Sequence, residues 1–308
     1  MPSVLNPLVL RGLGAPPRPL RSKNLPDHNR QKSDNPEKPG YLPGLGVGKF
    51  MTSMQDDRLY HDAALVQLYD LDNGWDADCD HIRSLTRPGN RVLDLGCGTG
   101  YLAAGLAESC DVTGVDPAVA MLQVARNRPG GDRVTWVEGD ARRIRLGRSF
   151  DLVVMTGHAF QCLLSEADQR ACCETIAAHL APDGRFIFDS RNPAARAWES
   201  WTPARANWQV AHPEMGRVKA WNDHRFDEDT GIVTYETHYQ APDGRHFQAE
   251  ARIRFTRREQ IAARLAVAGL QVTRWMGDWQ GNPMRVDSPE IIPLGKLAER
   301  EGRQQNPS

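Results

Sequence analysis

Apolar and polar residues change their spacing along the chain in a way that divides it into segments. Residues 59–70 and 76–86 carry apolar positions at helical intervals. Arg91–Leu95 is a short apolar run stopped by a glycine cluster and predicts a strand; residues 99–109, with Leu102, Ala103 and Leu106 on one face, predict a helix. Val112–Val115 predicts a second strand, after which Pro117, at a helix N1 position, opens a helix through Arg126. Val134–Val137 and Phe150–Met155 predict a third and a fourth strand, the latter apolar enough for burial on both faces. Ser165, with Asp168 three residues on, caps a helix that runs to Leu180, and Pro182-Asp183-Gly184 turns into a fifth strand, Arg185–Asp189. Strands alternating with helices at this spacing imply a parallel sheet covered on both faces, an α/β fold.

The alternation then breaks. Residues 216–255 lack helical period and predict an antiparallel meander. Within it His246–Phe255 alternates, with Phe247, Ala249, Ala251, Ile253 and Phe255 on one face, and its partner Gly231–Gln240 joins it through Pro242-Asp243-Gly244. Thr256 with Glu259 predicts a capping box for the next helix, with Ile261 and Leu265 facing inward and Gly269 ending it. Val272–Trp279 and Ile291–Leu297 would complete the sheet.

Composition narrows the class. A chain of 308 residues, 40% hydrophobic, can bury one large domain or a domain with an appendage. The net charge of −1 supplies no general attraction to nucleic acid or anionic lipid. It is unevenly spread: residues 1–50 hold eight Lys/Arg, three acids and nine prolines, which leaves the remainder near −6. That stretch is expected to be a disordered, Pro-rich basic tail, and a start at Met51 or Met54 would place it outside the protein altogether. Residues 299–308 are expected to be a second disordered tail. Six cysteines with no CxxC pair and no Cys/His zinc spacing suit reduced thiols in a cytoplasm, and no apolar run approaches the roughly 18–20 residues of a membrane span.

The most informative segment is Asp94-Leu95-Gly96-Cys97-Gly98-Thr99-Gly100, where a strand ends, glycines alternate and a helix begins. Bare backbone there lets a ligand approach closely. A dinucleotide fingerprint needs a glycine where Tyr101 stands, and a P-loop needs Gly-Lys-Ser/Thr, which is absent. Asp94 would repel a pyrophosphate but suits a cation. Asp116, twenty residues past Gly96, can accept from ribose hydroxyls, and in Glu138-Gly139-Asp140-Ala141 the carboxylate of Asp140 can accept from an adenine amino group. Three acids at three successive strand ends converge on the crevice where open α/β sheets bind ligands.

With these motifs the chain resembles the class I methyltransferases that depend on S-adenosylmethionine (SAM), over about residues 60–297. Asp94–Gly100 matches their motif I, Asp116 their ribose-binding acid, Asp140 their adenine contact and Phe150–Met155 the strand of motif IV. The resemblance implies a Rossmann-like, seven-stranded sheet of order 3-2-1-4-5-7-6. It also implies a cofactor site built from Tyr69, Asp94, Leu95, Gly96, Cys97, Gly98, Gly100, Asp116, Pro117, Met121, Gly139, Asp140, Ala141 and Thr156. The antiparallel insertion is similar in placement to that of glycine/sarcosine N-methyltransferases and amino-sugar N,N-dimethyltransferases, in which it lids the substrate. The implied domains are a cofactor domain over 51–195, a lid over 196–255 and the return of the first domain over 256–298.

Methyl transfer needs alignment and dryness more than bond-breaking machinery, and no metal is implied. The loop Thr156-Gly157-His158-Ala159-Phe160-Gln161 lacks the Asn/Asp-Pro-Pro-Tyr/Phe motif of nucleic-acid adenine enzymes, and Cys162 lacks the preceding proline of a C5-cytosine nucleophile. His158 is the candidate base or orienter, with Phe160 nearby as cavity wall or core. Tyr60 and Tyr69 are candidates for the methionine end of the cofactor. Glu236 and His238 share a strand face opposite Tyr235 and Tyr239, and would choose the substrate if that polar face looked into the cleft; Trp198 and Trp201 either wall the pocket or anchor the lid. The expected activity is transfer to a small-molecule N or O acceptor by a cytoplasmic monomer or homodimer, without specific nucleic acid or membrane. The competing readings are an RNA- or protein-directed enzyme tethered by the basic tail and a non-catalytic SAM-binding protein.

Overall fold

Three short helices, α1 (Arg58–His61), α2 (Ala63–Asp72) and α3 (Ala77–Leu85), precede the first strand; Asp62 separates the first two and caps α2 by accepting from the N–H groups of Ala64 and Leu65. The structure, a computed structural model, describes residues 57–299, so both expected tails lie outside the described residues apart from Glu299.

The alternating region follows as β1 (Arg91–Leu95), α4 (Tyr101–Leu106), β2 (Asp111–Asp116), α5 (Val119–Asn127), β3 (Thr135–Glu138), β4 (Phe150–Met155), α6 (Glu166–His179) and β5 (Leu180–Phe188). Helix α4 is shorter than its apolar pattern suggested. Pro117 does not take the N1 position of α5, because the chain stays extended through the N-cap Ala118 before it coils. Ser165 caps α6 as expected, its Oγ accepting from the Asp168 N–H at 3.0 Å.

After the two-residue strand β6 (Ser190–Arg191) come the four strands of the insertion, β7 (Asn207–His212), β8 (Gly216–Asp227), β9 (Ile232–Gln240) and β10 (His246–Arg254). The chain closes with α7 (Arg258–Val267), β11 (Leu270–Met276) and β12 (Glu290–Leu297). The capping box is displaced by one residue: Gln260 Oε1 accepts from the N–H of Arg257, while Thr256 is buried and its hydroxyl meets Gln169.

The main sheet runs β11-β12-β5-β4-β1-β2-β3, with β1 to β5 parallel and β12 and β11 antiparallel, which is the expected order with its reversed final hairpin. The insertion is a separate four-stranded antiparallel sheet, β10-β9-β8-β7. Its strand β7, unforeseen in the sequence pattern, pairs with β8 and packs against α2. Ala249, Ala251, Ile253 and Phe255 are buried as the alternation required, in a core shared with Leu59, Leu65 and Leu68 of the N-terminal helices. Burial of that face roofs the carboxyl ends of the parallel strands with the insertion. No helix among the described residues is long and apolar enough to cross a membrane.

Candidate active site

A cleft opens where β1, β2 and β4 end. Gly96, Gly98, Asp116, Pro117, Met121, Ala141, Thr156 and Tyr69 line it. Asp116 is the best-placed acid: its Oδ2 accepts from the Gly98 N–H at 2.8 Å and its Oδ1 from the Ala118 N–H at 2.9 Å. Burial pushes its carboxyl above the ordinary value, against the pull of those two N–H groups. Each oxygen keeps a second acceptor direction. At Gly98, with φ +55°, a Cβ would meet nothing within 4 Å, so bare backbone faces the cleft.

Other expected cofactor residues stand behind this wall. Asp94 is buried at the end of β1 and Leu95 belongs to the core, Cys97 packs its sulfur against Gly114, and Gly139 backs onto Ile144. Gly100, at φ +78°, opens α4 against the Trp136 ring. Asp140 departs from expectation. Its carboxylate is gripped by the Arg142 guanidinium at 2.6–2.9 Å, whose other arm reaches Asp168 at 2.9 Å, and the wall here is the neighbouring Ala141. Burial raises the Asp140 carboxyl, but the bonds from Arg142 outweigh it and hold it below the usual range.

A second cavity adjoins the first, between the strand ends and the insertion, and Tyr60, Tyr69, Gly157 and Cys162 line both. Its walls include His158, Arg191, Asp72, Tyr235, Thr237 and Tyr239. The inward face of β9 is therefore the tyrosine face, contrary to the possibility that Glu236 and His238 look into the cleft. Glu236 accepts from Gln248 on the outer face, and His238 clusters there with Trp221 and His246, ring centroids 5.0 and 5.4 Å away. The apolar residues of β9 and β10 must share the buried side, and strand alternation carries the tyrosines with them.

His158 sits in the left-handed region at φ +63°, held there by its own N–H, which donates to Asp189 Oδ1 at 2.8 Å. Its Nε2 lies 3.0 Å from Glu290 Oε1 and 3.6 Å from Asp189 Oδ2. Phe160 is core, stacked on Phe188 at 4.4 Å. Trp198 and Trp201 anchor the insertion against Phe226, Phe255 and Tyr235. Burial pushes the Cys162 thiol up to about 12, so it stays protonated and is no nucleophile.

Comparison with known proteins agrees with this geometry. A family model described as a methyltransferase domain matches residues 92–184. The dTDP-3-amino-3,6-dideoxy-alpha-D-glucopyranose N,N-dimethyltransferase of Streptomyces fradiae is 31% identical over 211 residues, spanning 64% of this chain and 76% of that protein. The cypemycin N-terminal methyltransferase of a Streptomyces species is 28% identical over 205 residues, 66% of this chain and 82% of that protein. The CcbJ methyltransferase of Streptomyces caelestis shares the fold, with a TM-score of 0.66 and 20% identity, over 80% of this chain and 99% of that one. The chain belongs to the class I SAM-dependent methyltransferases.

The first cleft of this methyltransferase fits SAM on its own chemistry. Its lining holds Asp57 and Asp116 and, among the described residues, no lysine or arginine that would favour a phosphate. A sulfonium and an ammonium are better matched by such a wall than by water-exposed neutral surface.

Sequence reading missed Asp57, His61 and Met155 on the cofactor side, and Asp189 and Glu290 beside His158. Asp189 carried a signal, since it ends the fifth strand as the other acids end theirs. Glu290 carried none: it reaches His158 only because β12 folds back against β6, where Glu290 pairs with Arg191.

Proposed function

We propose that this methyltransferase acts on a nitrogen of a small molecule bound in the second cavity. The carrying observation is that the two cavities share one waist, made by Tyr60, Tyr69, Gly157 and Cys162. A donor on one side and an acceptor on the other would meet there, screened from water by buried aromatic residues.

When bound, SAM supplies a methyl group already activated by its sulfonium. Asp116 accepts from the ribose hydroxyls, Gly98 gives close backbone approach, and Met121, Pro117 and Ala141 supply apolar wall. His158, steadied by Glu290 and Asp189, orients the acceptor or takes its proton. The insertion sheet serves as the lid and the two flanking segments as one cofactor domain. A nitrogen acceptor is favoured by the names of the relatives, one an N-terminal methyltransferase and one an N,N-dimethyltransferase of an amino sugar.

Calorimetry with SAM and its demethylated product, followed by transfer of labelled methyl to a cell extract fractionated into metabolites, protein and RNA, tests the reading. The expected outcome is tight binding of both ligands and label in a small amine. Label appearing only in protein or RNA would overturn it.

A further inference from the structure

Asp72 ends α2 one helical turn beyond Tyr69 and lines the second cavity but not the first. Its Oδ2 accepts from Trp208 Nε1 at 2.9 Å, so β7 of the insertion fixes the carboxylate in place. Among the described residues no lysine, arginine or histidine forms an ion pair with it. Arg191, the guanidinium on the same cavity, is committed elsewhere: its Nη1 donates to Gln161 Oε1 at 3.1 Å and its Cζ lies over the Trp201 ring, 5.1 Å from the centroid. A half-buried carboxylate without a counter-ion is costly, and burial pushes this one up to about 7. An asparagine could accept the same indole bond at less cost, so the charge needs another reason.

The cavity wall supplies a second, independent feature. Tyr60, Tyr69, Tyr235 and Tyr239 all line it. Tyrosine faces attract cations and lose little by excluding water around an alkylated nitrogen. Carboxylate and tyrosines together suit an ammonium or alkylammonium group better than a neutral hydroxyl or an anion.

We propose that Asp72 is the residue that selects the acceptor, by holding a positively charged nitrogen of it against the tyrosine-lined wall. This rests on the second cavity being the acceptor site. The bound ammonium passes one proton to His158 on the same cavity, and the freed lone pair takes the methyl as its bond to the sulfonium sulfur breaks; the substrate class is a basic amine whose methylated product is again a cation.

Two measurements test it on the full chain, with Asp72→Asn and the charge-restoring Asp72→Glu as variants. In the first, phenyltrimethylammonium and its neutral isostere tert-butylbenzene are titrated into the protein saturated with demethylated SAM. Wild type is expected to bind the cation in preference to the isostere, Asp72→Asn to lose roughly 10- to 100-fold in cation affinity, and Asp72→Glu to recover part of it. Equal binding of the two probes, or an unchanged Asp72→Asn, overturns the proposal whether or not any turnover is seen. In the second, labelled SAM is offered with extract metabolites split by cation exchange into retained and unretained pools. Product from the retained pool, with KM for that acceptor raised in Asp72→Asn and SAM affinity unaltered, supports the assignment. Product confined to the unretained pool overturns it. Label in neither pool, with cation binding intact, defeats the small-molecule reading while leaving Asp72 as a cation site.

Discussion

The hydroxyls of Tyr60 and Tyr235 stand 2.9 Å apart, joining α1 to β9 across 175 residues of sequence. The Tyr60 ring also meets Tyr69 edge-on at 6.0 Å. This contact closes the insertion onto the wall of the cofactor cleft at the waist between the two cavities.

Removing either hydroxyl strands the other in a partly buried place. Tyr60→Phe and Tyr235→Phe are each expected to cost about 1–3 kcal/mol, and the double variant hardly more than one of them. Denaturant unfolding of the four proteins in a double-mutant cycle measures the coupling, and additive losses would refute it.

His158 touches the acceptor side alone. His158→Asn is expected to lower kcat about 100-fold or more while SAM affinity in calorimetry stays the same, and Glu290→Gln to lower kcat by less. A variant with undiminished kcat would remove His158 from the chemistry.

Both oxygens of Asp116 accept from backbone N–H groups, so an amide at this position would turn one NH₂ towards a donor. Asp116→Asn should therefore weaken SAM binding as much as Asp116→Ala, roughly 10- to 100-fold for each. Near wild-type affinity in Asp116→Asn, read by calorimetry, would contradict this account.

Two glycines of the loop separate folding from binding. A Cβ at Gly100 would overlap the Trp136 ring and adopt a left-handed φ, whereas at Gly98 it would enter open cleft. Gly100→Ala is expected to lower the melting temperature sharply. Gly98→Ala should cost about 1–2 kcal/mol of stability but lose most SAM affinity. Melting curves with and without SAM distinguish the two effects.

The carboxyl of Asp72 is raised from 3.8 to about 7 by burial, with the Trp208 N–H only partly offsetting it. A folded-state value above the unfolded one stabilises the protein fully below about pH 4, and that contribution is lost as pH rises through about 7. Asp72→Asn does not titrate and should be the more stable protein above pH 7, by on the order of 2–4 kcal/mol, with the gap closing towards pH 4. Unfolding across that pH range checks it; a gap that widens on acidification would reverse the assigned sign.

Local chemistry made much of this legible. The five parallel strands and the cap at Ser165 follow from periodicity and from side chains bonding to backbone a few residues away. The glycine loop with Asp116 was equally readable, because strand ends converge by topology once the βα alternation is recognised. The surroundings of Asp140 were not legible, because Arg142, two residues on, can fold back onto its carboxylate or leave it to the cleft, and spacing alone does not choose.

What the sequence by itself determined is the sheet, its switch point and the residue types at the nucleotide end, since these depend on interactions within one strand–loop–helix unit. Only the tertiary structure decided which face of β9 looks inward, that Glu290 reaches His158, and that Asp72 meets Trp208 across 136 residues. Those contacts form where separately folded segments pack, and side-chain burial at such a seam is set by the partner surface rather than by neighbours along the chain.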